Sequence, residues 1–188
     1  MPTLRSRSVG LVLWLIGCAT GQAAPPRAAV PLVEATQVVP RVVVDLRYAT
    51  AQNFTGQVLY PPSARCYLRA DVAEALAKAA TALAKEGLFL KLWDCYRPKR
   101  VQFQLWDIVH DERYVANPRK GSRHNRGAAV DLTLCDAQGQ ELPMPTPFDD
   151  FGEKAHRDYQ KLPKEVIQNR AKLEQAMVQA GFSGMPTE

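Results

Sequence analysis

The residues best suited to chemistry lie in Ser122-Arg123-His124-Asn125-Arg126-Gly127-Ala128-Ala129-Val130-Asp131. His124 and Asp131 are separated by a turn containing Gly127, so the chain can bring an imidazole and a carboxylate to one point. Such a pair suits zinc, which takes His nitrogen and carboxylate oxygen at about 2.0–2.2 Å. Spacing alone leaves a plainer alternative open, a salt-bridged Asp131 beside a surface His124. Either way Asp131 needs a cation, a set of donors or solvent, because a buried unpaired charge costs several kcal/mol. A second segment, Trp93-Asp94-Cys95-Tyr96-Arg97-Pro98-Lys99-Arg100, lies where an apolar strand enters a helix. A guanidinium fixed at Arg97 can hold a carboxylate or oxyanion through two parallel hydrogen bonds. The structural alternative is a helix-start arginine paired with a nearby acid.

The elements that must position these residues follow from periodicity. Residues 41–48 are Val-rich and read as a strand, and residues 53–68 mix Gly56, Pro61 and Pro62 with aromatics and read as an ordered loop. Asp71 is the expected cap of a helix through Lys85, with Val72, Ala75, Leu76, Ala79, Ala80 and Leu83 inward and Gly87 as the stop. Residues 88–94 read as a strand buried on both faces. Pro98 opens a helix to about His110 with Val101, Leu105, Ile108 and Val109 inward. A polar loop covers 111–123, and 127–134 alternates as a strand with Asp131 on its polar face. The last helix spans about Lys164–Ala180, with Val166, Ile167, Leu173 and Met177 inward. Intermixed helices and strands with long connections predict an α+β domain whose antiparallel sheet is flanked by helices.

The 188 residues fit a single domain plus a short appendage. A formal charge of +5 is too mild for a dedicated nucleic-acid binder, so no nucleic-acid partner is expected. Residues 1–17 carry Arg5 and Arg7 ahead of a short apolar run, the pattern of a secretory signal. The run ends in Leu15-Ile16-Gly17-Cys18, which resembles a bacterial lipobox and makes Cys18 the expected lipidated residue. A plain signal cut after Gln22-Ala23-Ala24 is the alternative. Residues 18–29 are small and Pro-containing and read as a tether, leaving 30–188 as the domain. The protein is thus expected in the periplasm or cell envelope, touching membrane only through a lipid anchor. Export puts Cys66, Cys95 and Cys135 in an oxidising compartment, and Cys66–Cys95 is the expected disulfide. No Cys-x-x-Cys spacing exists, which argues against a thiolate zinc site. No pattern specifies an oligomeric state.

Tyr48-Ala49-Thr50 with Asn53-Phe54-Thr55-Gly56, then Tyr96-Arg97-Pro98-Lys99-Arg100, then Ser122-x-His124-x-x-Gly127-x-Ala129-x-Asp131 resemble the zinc D-alanyl-D-alanine dipeptidases, the family that includes the vancomycin-resistance dipeptidase. The resemblance keeps its order from about residue 40 to the last residue. It implies a D,D-peptidase/hedgehog-like fold, one Zn2+ per chain, and hydrolysis of the small D-Ala-D-Ala dipeptide in cell-wall metabolism or turnover. It makes His124 and Asp131 zinc ligands and Arg97 the stabiliser of the tetrahedral intermediate. Tyr48, Ser122 and Asp149 fall at positions that contact the dipeptide, with Asp149 receiving its ammonium group. Phe148 walls a small pocket, and Asp150 competes with Asp149 for its role. The family's closing Glu-Trp-Trp-His supplies a general base and a third ligand. Here the chain reads Met185-Pro186-Thr187-Glu188. Glu188 matches the base, so the domain reads as C-terminally incomplete, and the isolated chain is expected to hold zinc weakly. The alternatives are a D,D-carboxypeptidase acting on peptidoglycan peptides and a non-catalytic, lipid-tethered wall-binding relative.

The lipobox reading is testable in cells that process lipoproteins. Cys18→Ala is expected to move the protein out of the membrane fraction on immunoblots; unchanged membrane retention would count against it.

Overall fold

The strand expected at 88–94 is the centre of the molecule. The computed structural model describes residues 30–187, so the expected signal 1–17, the tether 18–29 with Cys18, and Glu188 lie outside the described residues. Chain order is β1 (Leu32–Glu34), α1 (Ala35–Val38), β2 (Val43–Val44), β3 (Tyr67–Arg69), α2 (Ala70–Ala84), β4 (Phe89–Asp94), α3 (Lys99–Ile108), β5 (Asp131–Cys135) and α4 (Lys164–Gln179). Every residue of β4 except Lys91 is buried, as a strand covered on both faces must be.

The sheet around β4 is mixed, which corrects the antiparallel expectation. β2 pairs with β4 in parallel, Val43 opposite Lys91, while β5 pairs antiparallel, Leu90 opposite Leu134. The physical reason is the connection. The chain runs from β2 through a long loop, β3 and α2 before returning as β4, and a crossover of that length permits parallel pairing. A separate antiparallel pair, β1 with β3, comes from segments with weak sequence signals: residues 30–38, which the periodicity did not mark, and the end of the 53–68 loop.

The element boundaries moved for identifiable reasons. The 41–48 strand shrinks to Val43–Val44, because Arg47–Ala49 turns into a short 3-10 helix. The 127–134 strand starts only at Asp131. Gly127 adopts φ +62°, and its carbonyl accepts the Arg69 N–H of β3 at 2.9 Å. A Cβ at Gly127 would come within 2.6 Å of Leu32 Cδ2, so a side chain is excluded on both conformational and steric grounds. Asp71 does not cap α2. The first helical N–H, Ala70, is satisfied by the Pro31 carbonyl at 2.9 Å, and the Asp71 carboxylate pairs with Arg69. Pro98 precedes α3 as its cap position instead of its first residue. Ile108, expected inward, is 50% exposed, since α3 ends there and the chain turns away.

The main core forms where α2 packs Leu76, Ala79, Ala80 and Leu83 against the sheet and against Leu173 and Ala176 of α4. Cys66 and Cys95 form a disulfide, with Cα atoms 5.3 Å apart, that ties the strand before α2 to the end of β4. Closing a loop of this length contributes about 3–4 kcal/mol on chain-entropy grounds. Among the described residues Cys135 is the free thiol, and it is buried.

Leu76 has no exposure and lies on the α2 face toward the core. Leu76→Ala is expected to cost about 2–5 kcal/mol in a denaturant titration, with the m-value unchanged.

Candidate active site

The site is assembled where β4 ends, on a carboxylate that the sequence reading did not single out. Asp94 has 0% exposure and accepts from every direction. Its Oδ1 takes the Tyr60 hydroxyl at 2.7 Å and the Cys95 N–H at 2.9 Å. Its Oδ2 takes Arg97 Nε and Nη2, each at 2.8 Å. Arg97, 7% exposed, is completed by Gln102 Oε1, which accepts Nη1 at 3.1 Å. Gln102 in turn donates to the Ala116 carbonyl at 2.7 Å. Burial by itself would lower the Arg97 pKa, but Asp94, Tyr48 and Asp131 outweigh it and keep the guanidinium charged well above its ordinary range. The residue is therefore a fixed cation. The pairing with an acid is the structural alternative of the sequence, and the donors not taken by Asp94 face Gln102 and Asp131.

The remaining Arg97 contact reaches Asp131, whose Oδ2 lies 3.4 Å from Nη2. Asp131 Oδ1 lies 3.4 Å from His124 Nε2. The 122–127 turn that delivers His124 is built from its own polar groups. Ser122 Oγ accepts the His124 N–H at 3.2 Å, and Asn125 Oδ1 accepts the Ser122 N–H at 3.0 Å. This turn is stitched to the β4 exit: Asn125 donates to the Arg97 carbonyl at 2.8 Å, and the Arg97 N–H donates to the His124 carbonyl at 3.1 Å. His124 Nδ1 sits 2.9 Å from the Cys95 carbonyl, which selects the tautomer that donates from Nδ1 and leaves a lone pair on Nε2. Burial disfavours the protonated imidazole, yet Asp131 overrides it and raises the His124 pKa. Burial likewise disfavours the Asp131 carboxylate, and His124 and Arg97 hold it below the usual range.

Asp94, His124 and Asp131 each offer a ligand atom within 4.8 Å of the others. The lone pairs of Asp94 are already spent on Tyr60, Cys95 and Arg97, so it acts as a scaffold for the cluster. His124 Nε2 and Asp131 have free donor capacity facing each other. That imidazole–carboxylate pair, with the second imidazole nitrogen fixed by a carbonyl, has the donor chemistry to hold a metal ion.

Two further loops close the cleft. Tyr48, buried at the short 3-10 helix, packs its ring under the Arg97 guanidinium at 5.2 Å and edge-on against Phe148 at 5.5 Å. Its carbonyl accepts from both Leu59 and Tyr60 N–H, which fixes the loop following it. Asn53 explains the Asn-Phe-Thr-Gly block: its amide donates to the carbonyls of Arg47, Thr50 and Gln57 while its Oδ1 accepts from Thr55. From the other side, Asp149 reaches the Tyr48 hydroxyl at 3.3 Å in a left-handed backbone conformation, φ 59°. Its second oxygen is buried and has no hydrogen-bond partner among the described residues. Burial, with Asp131 adding to it, pushes the Asp149 carboxyl up to about 7. Asp150, the alternative, is exposed and caps the Gly152 N–H.

Of the residues singled out by sequence, His124, Asp131, Arg97, Tyr48, Ser122 and Asp149 converge here, with Ser122 Oγ engaged in the His124 turn. His110 packs against Trp106 and His156 lies beside Tyr114, so neither joins them. Asp94, Asn125, Tyr60 and Gln102 were missed. Asp94 had a usable signal, a carboxylate at the end of an apolar strand three residues before an arginine.

A buried carboxyl raised to about 7 costs stability as pH rises. Protonated Asp149 is tolerated at low pH, and its ionisation is penalised progressively from about pH 4 to about pH 7. Asp149→Asn removes this cost. In metal-stripped protein its melting temperature is expected to exceed that of the wild type by a few degrees at pH 8, and the gap is expected to shrink toward pH 4.5.

The chain is similar to known proteins over most of its length. Residues 28–188 match the family model described as D-ala-D-ala dipeptidase. The chain is 38% identical over 157 residues to a D-alanyl-D-alanine dipeptidase of Escherichia coli (strain K12), covering 84% of this chain and 81% of the relative. It is 34% identical over 173 residues to an Enterococcus faecium protein of the same name, covering 81% and 85%. A Streptomyces coelicolor protein of that name is 32% identical over 167 residues, covering 77% and 81%.

Proposed function

The chain belongs to the D-alanyl-D-alanine dipeptidase family of metallopeptidases, and from that premise we propose how its residues hydrolyse D-Ala-D-Ala with zinc. The observation that carries the reading is the facing pair His124 Nε2 and Asp131, backed by a permanently charged Arg97. His124 and Asp131 would hold the ion, and a zinc ion held there would supply an acidified water and a polarised scissile carbonyl.

The protein's own groups divide the remaining work. Glu188, outside the described residues, takes the proton of the attacking water and passes it to the leaving amine. Arg97 steadies the oxyanion that develops on the scissile carbonyl. Because Asp94, Gln102 and the Tyr48 ring already fix the guanidinium, no reorganisation is needed as charge appears. Asp149 accepts the substrate ammonium on its unpartnered oxygen, with Tyr48 hydrogen-bonded beside it. A bound ammonium restores the ionised form of a carboxyl that burial otherwise keeps partly protonated. Ser122 contributes a contact at the dipeptide, and Phe148 narrows the pocket against Tyr48 and Trp93. A charged group matched to the free amino end of the substrate disfavours longer peptides, whose corresponding nitrogen is an uncharged amide.

The architecture corresponds to the D,D-peptidase/hedgehog-like fold. Residues 1–17 act as a lipoprotein signal, Cys18 carries the lipid, and residues 18–29 tether the domain to the membrane in the periplasm or cell envelope. An enzyme so placed meets dipeptide released by wall turnover.

Full-length protein is expected to release D-alanine from D-Ala-D-Ala and not from a muropeptide pentapeptide, to lose activity in chelator and to regain it with zinc. Release from the pentapeptide alone would overturn the dipeptidase assignment in favour of a carboxypeptidase. Arg97→Ala is expected to lower kcat by about 10²–10³.

A further inference from the structure

The disulfide partner Cys95 touches the site through its main chain. Its N–H donates to Asp94 Oδ1 at 2.9 Å, its carbonyl faces His124 Nδ1 at 2.9 Å, and its sulfur is bonded to Cys66. The residue therefore lies between the buried carboxylate and the imidazole.

The sheet does not hold it there. The β4–β5 ladder is regular up to Leu92 opposite Leu132, then shifts register so that Asp94 faces Asp131. Cys95 follows that irregularity and lies outside β4. Beyond the ladder the chain is caught from another direction: the Tyr96 N–H donates to the Tyr67 carbonyl at 2.9 Å, and the disulfide joins Cys95 to Cys66, next to Tyr67. The Cys66 end is firm, since its carbonyl accepts the Ala35 N–H at 2.8 Å and β3 pairs with β1 in register from Tyr67 onward. Both cysteines are 1% exposed, so the cross-link is packed in place and not a surface tether.

We propose that the Cys66–Cys95 disulfide is a positioning element of the metal site: by anchoring the Cys95 carbonyl to the β1–β3 pair, it fixes the ring orientation and tautomer with which His124 presents Nε2. The proposal rests on the reading of His124 as a metal ligand. Its physical logic is that a ligating imidazole binds best when its other nitrogen is already committed to a fixed acceptor. It also ties the site to an oxidising compartment, because a chain kept reduced would fold without the anchor.

The test uses the full-length protein and a Cys66→Ala/Cys95→Ala variant, which removes the bond and leaves no thiols there to compete for metal. Zinc affinity is measured by competition with a fluorescent chelator. The imidazole tautomers are read in metal-free protein from long-range 1H–15N spectra, at a pH alkaline enough for the rings to be neutral. Near-UV circular dichroism reports whether the tertiary fold is retained. The expected result is a folded variant with zinc affinity lowered about tenfold or more and a His124 that no longer holds the single Nδ1–H tautomer of the wild type. An unchanged tautomer overturns the proposal whatever the affinity does, and so does an unchanged affinity. Loss of the near-UV signal also overturns it, because the bond would then serve the fold in general. Wild-type protein that bound no zinc would defeat the reading of His124 as a ligand, while the tautomer comparison would still judge the cross-link by itself.

Discussion

Asp94 and Arg97 form a buried ion pair, and the site is arranged around the cost of having put it there. A carboxylate with no solvent must find donors for its lone pairs, and Asp94 finds them in Tyr60, Cys95 and Arg97. These donors come from two stretches of chain, the aromatic loop and the β4–α3 connection. Tyr60 fixes the end of the aromatic loop, Cys95 fixes the exit of β4, and Arg97 fixes the entry to α3. The guanidinium has donors left over, and they face Gln102 and Asp131. The pair is thus less a source of net stability than a device that forces several loops into one relative geometry.

The cleft inherits its chemistry from that geometry. His124 and Asp131 sit on either side of one turn, yet the turn alone does not bring them together. It is held to the β4 exit by Asn125 and by the Arg97 N–H, and its sharp left-handed close at Gly127 leaves room for Leu32 and Arg69. Asp149 illustrates the opposite logic. Its backbone is in a conformation that non-glycine residues rarely take, and one of its oxygens has no partner among the described residues. Sites that store unfavourable energy in this way are commonly those that a ligand relieves.

Charge sets the order of events within this small volume. Arg97 stays cationic because several anionic or polar groups surround it, and the His124–Asp131 pair is stabilised by mutual attraction in a setting where burial opposes both charges. Burial, with Asp131 adding to it, outweighs the opposing pull of the Tyr48 hydroxyl and Arg97 on Asp149, so its carboxyl is driven up to about 7. Two carboxylates of one cleft are thereby separated in behaviour by environment alone.

Much of the architecture was legible without coordinates. The 3.6-residue repeat of α2 and α4 and the apolar run of β4 each carry their own period, and the Gly127 and Asn53 turns carry their own hydrogen-bonding residues. The motif residues His124, Asp131 and Arg97 could be named as candidates by type and spacing, while their roles came from the resemblance to the dipeptidases. The parallel pairing of β2, the β1–β3 pair, the surface position of Ile108 and the true start of α2 could not be read that way, since they depend on which carbonyl or strand edge the chain meets after long excursions. The same holds for Asp94, whose donors Tyr60 and Arg97 lie 34 and 3 residues away in opposite directions. Sequence by itself determined which groups could act, because residue type and local period are properties of neighbouring positions. Only the tertiary structure decided which of them share a cleft, which lone pairs remain free and which pKa values move, because burial and charge proximity are properties of residues distant in the chain.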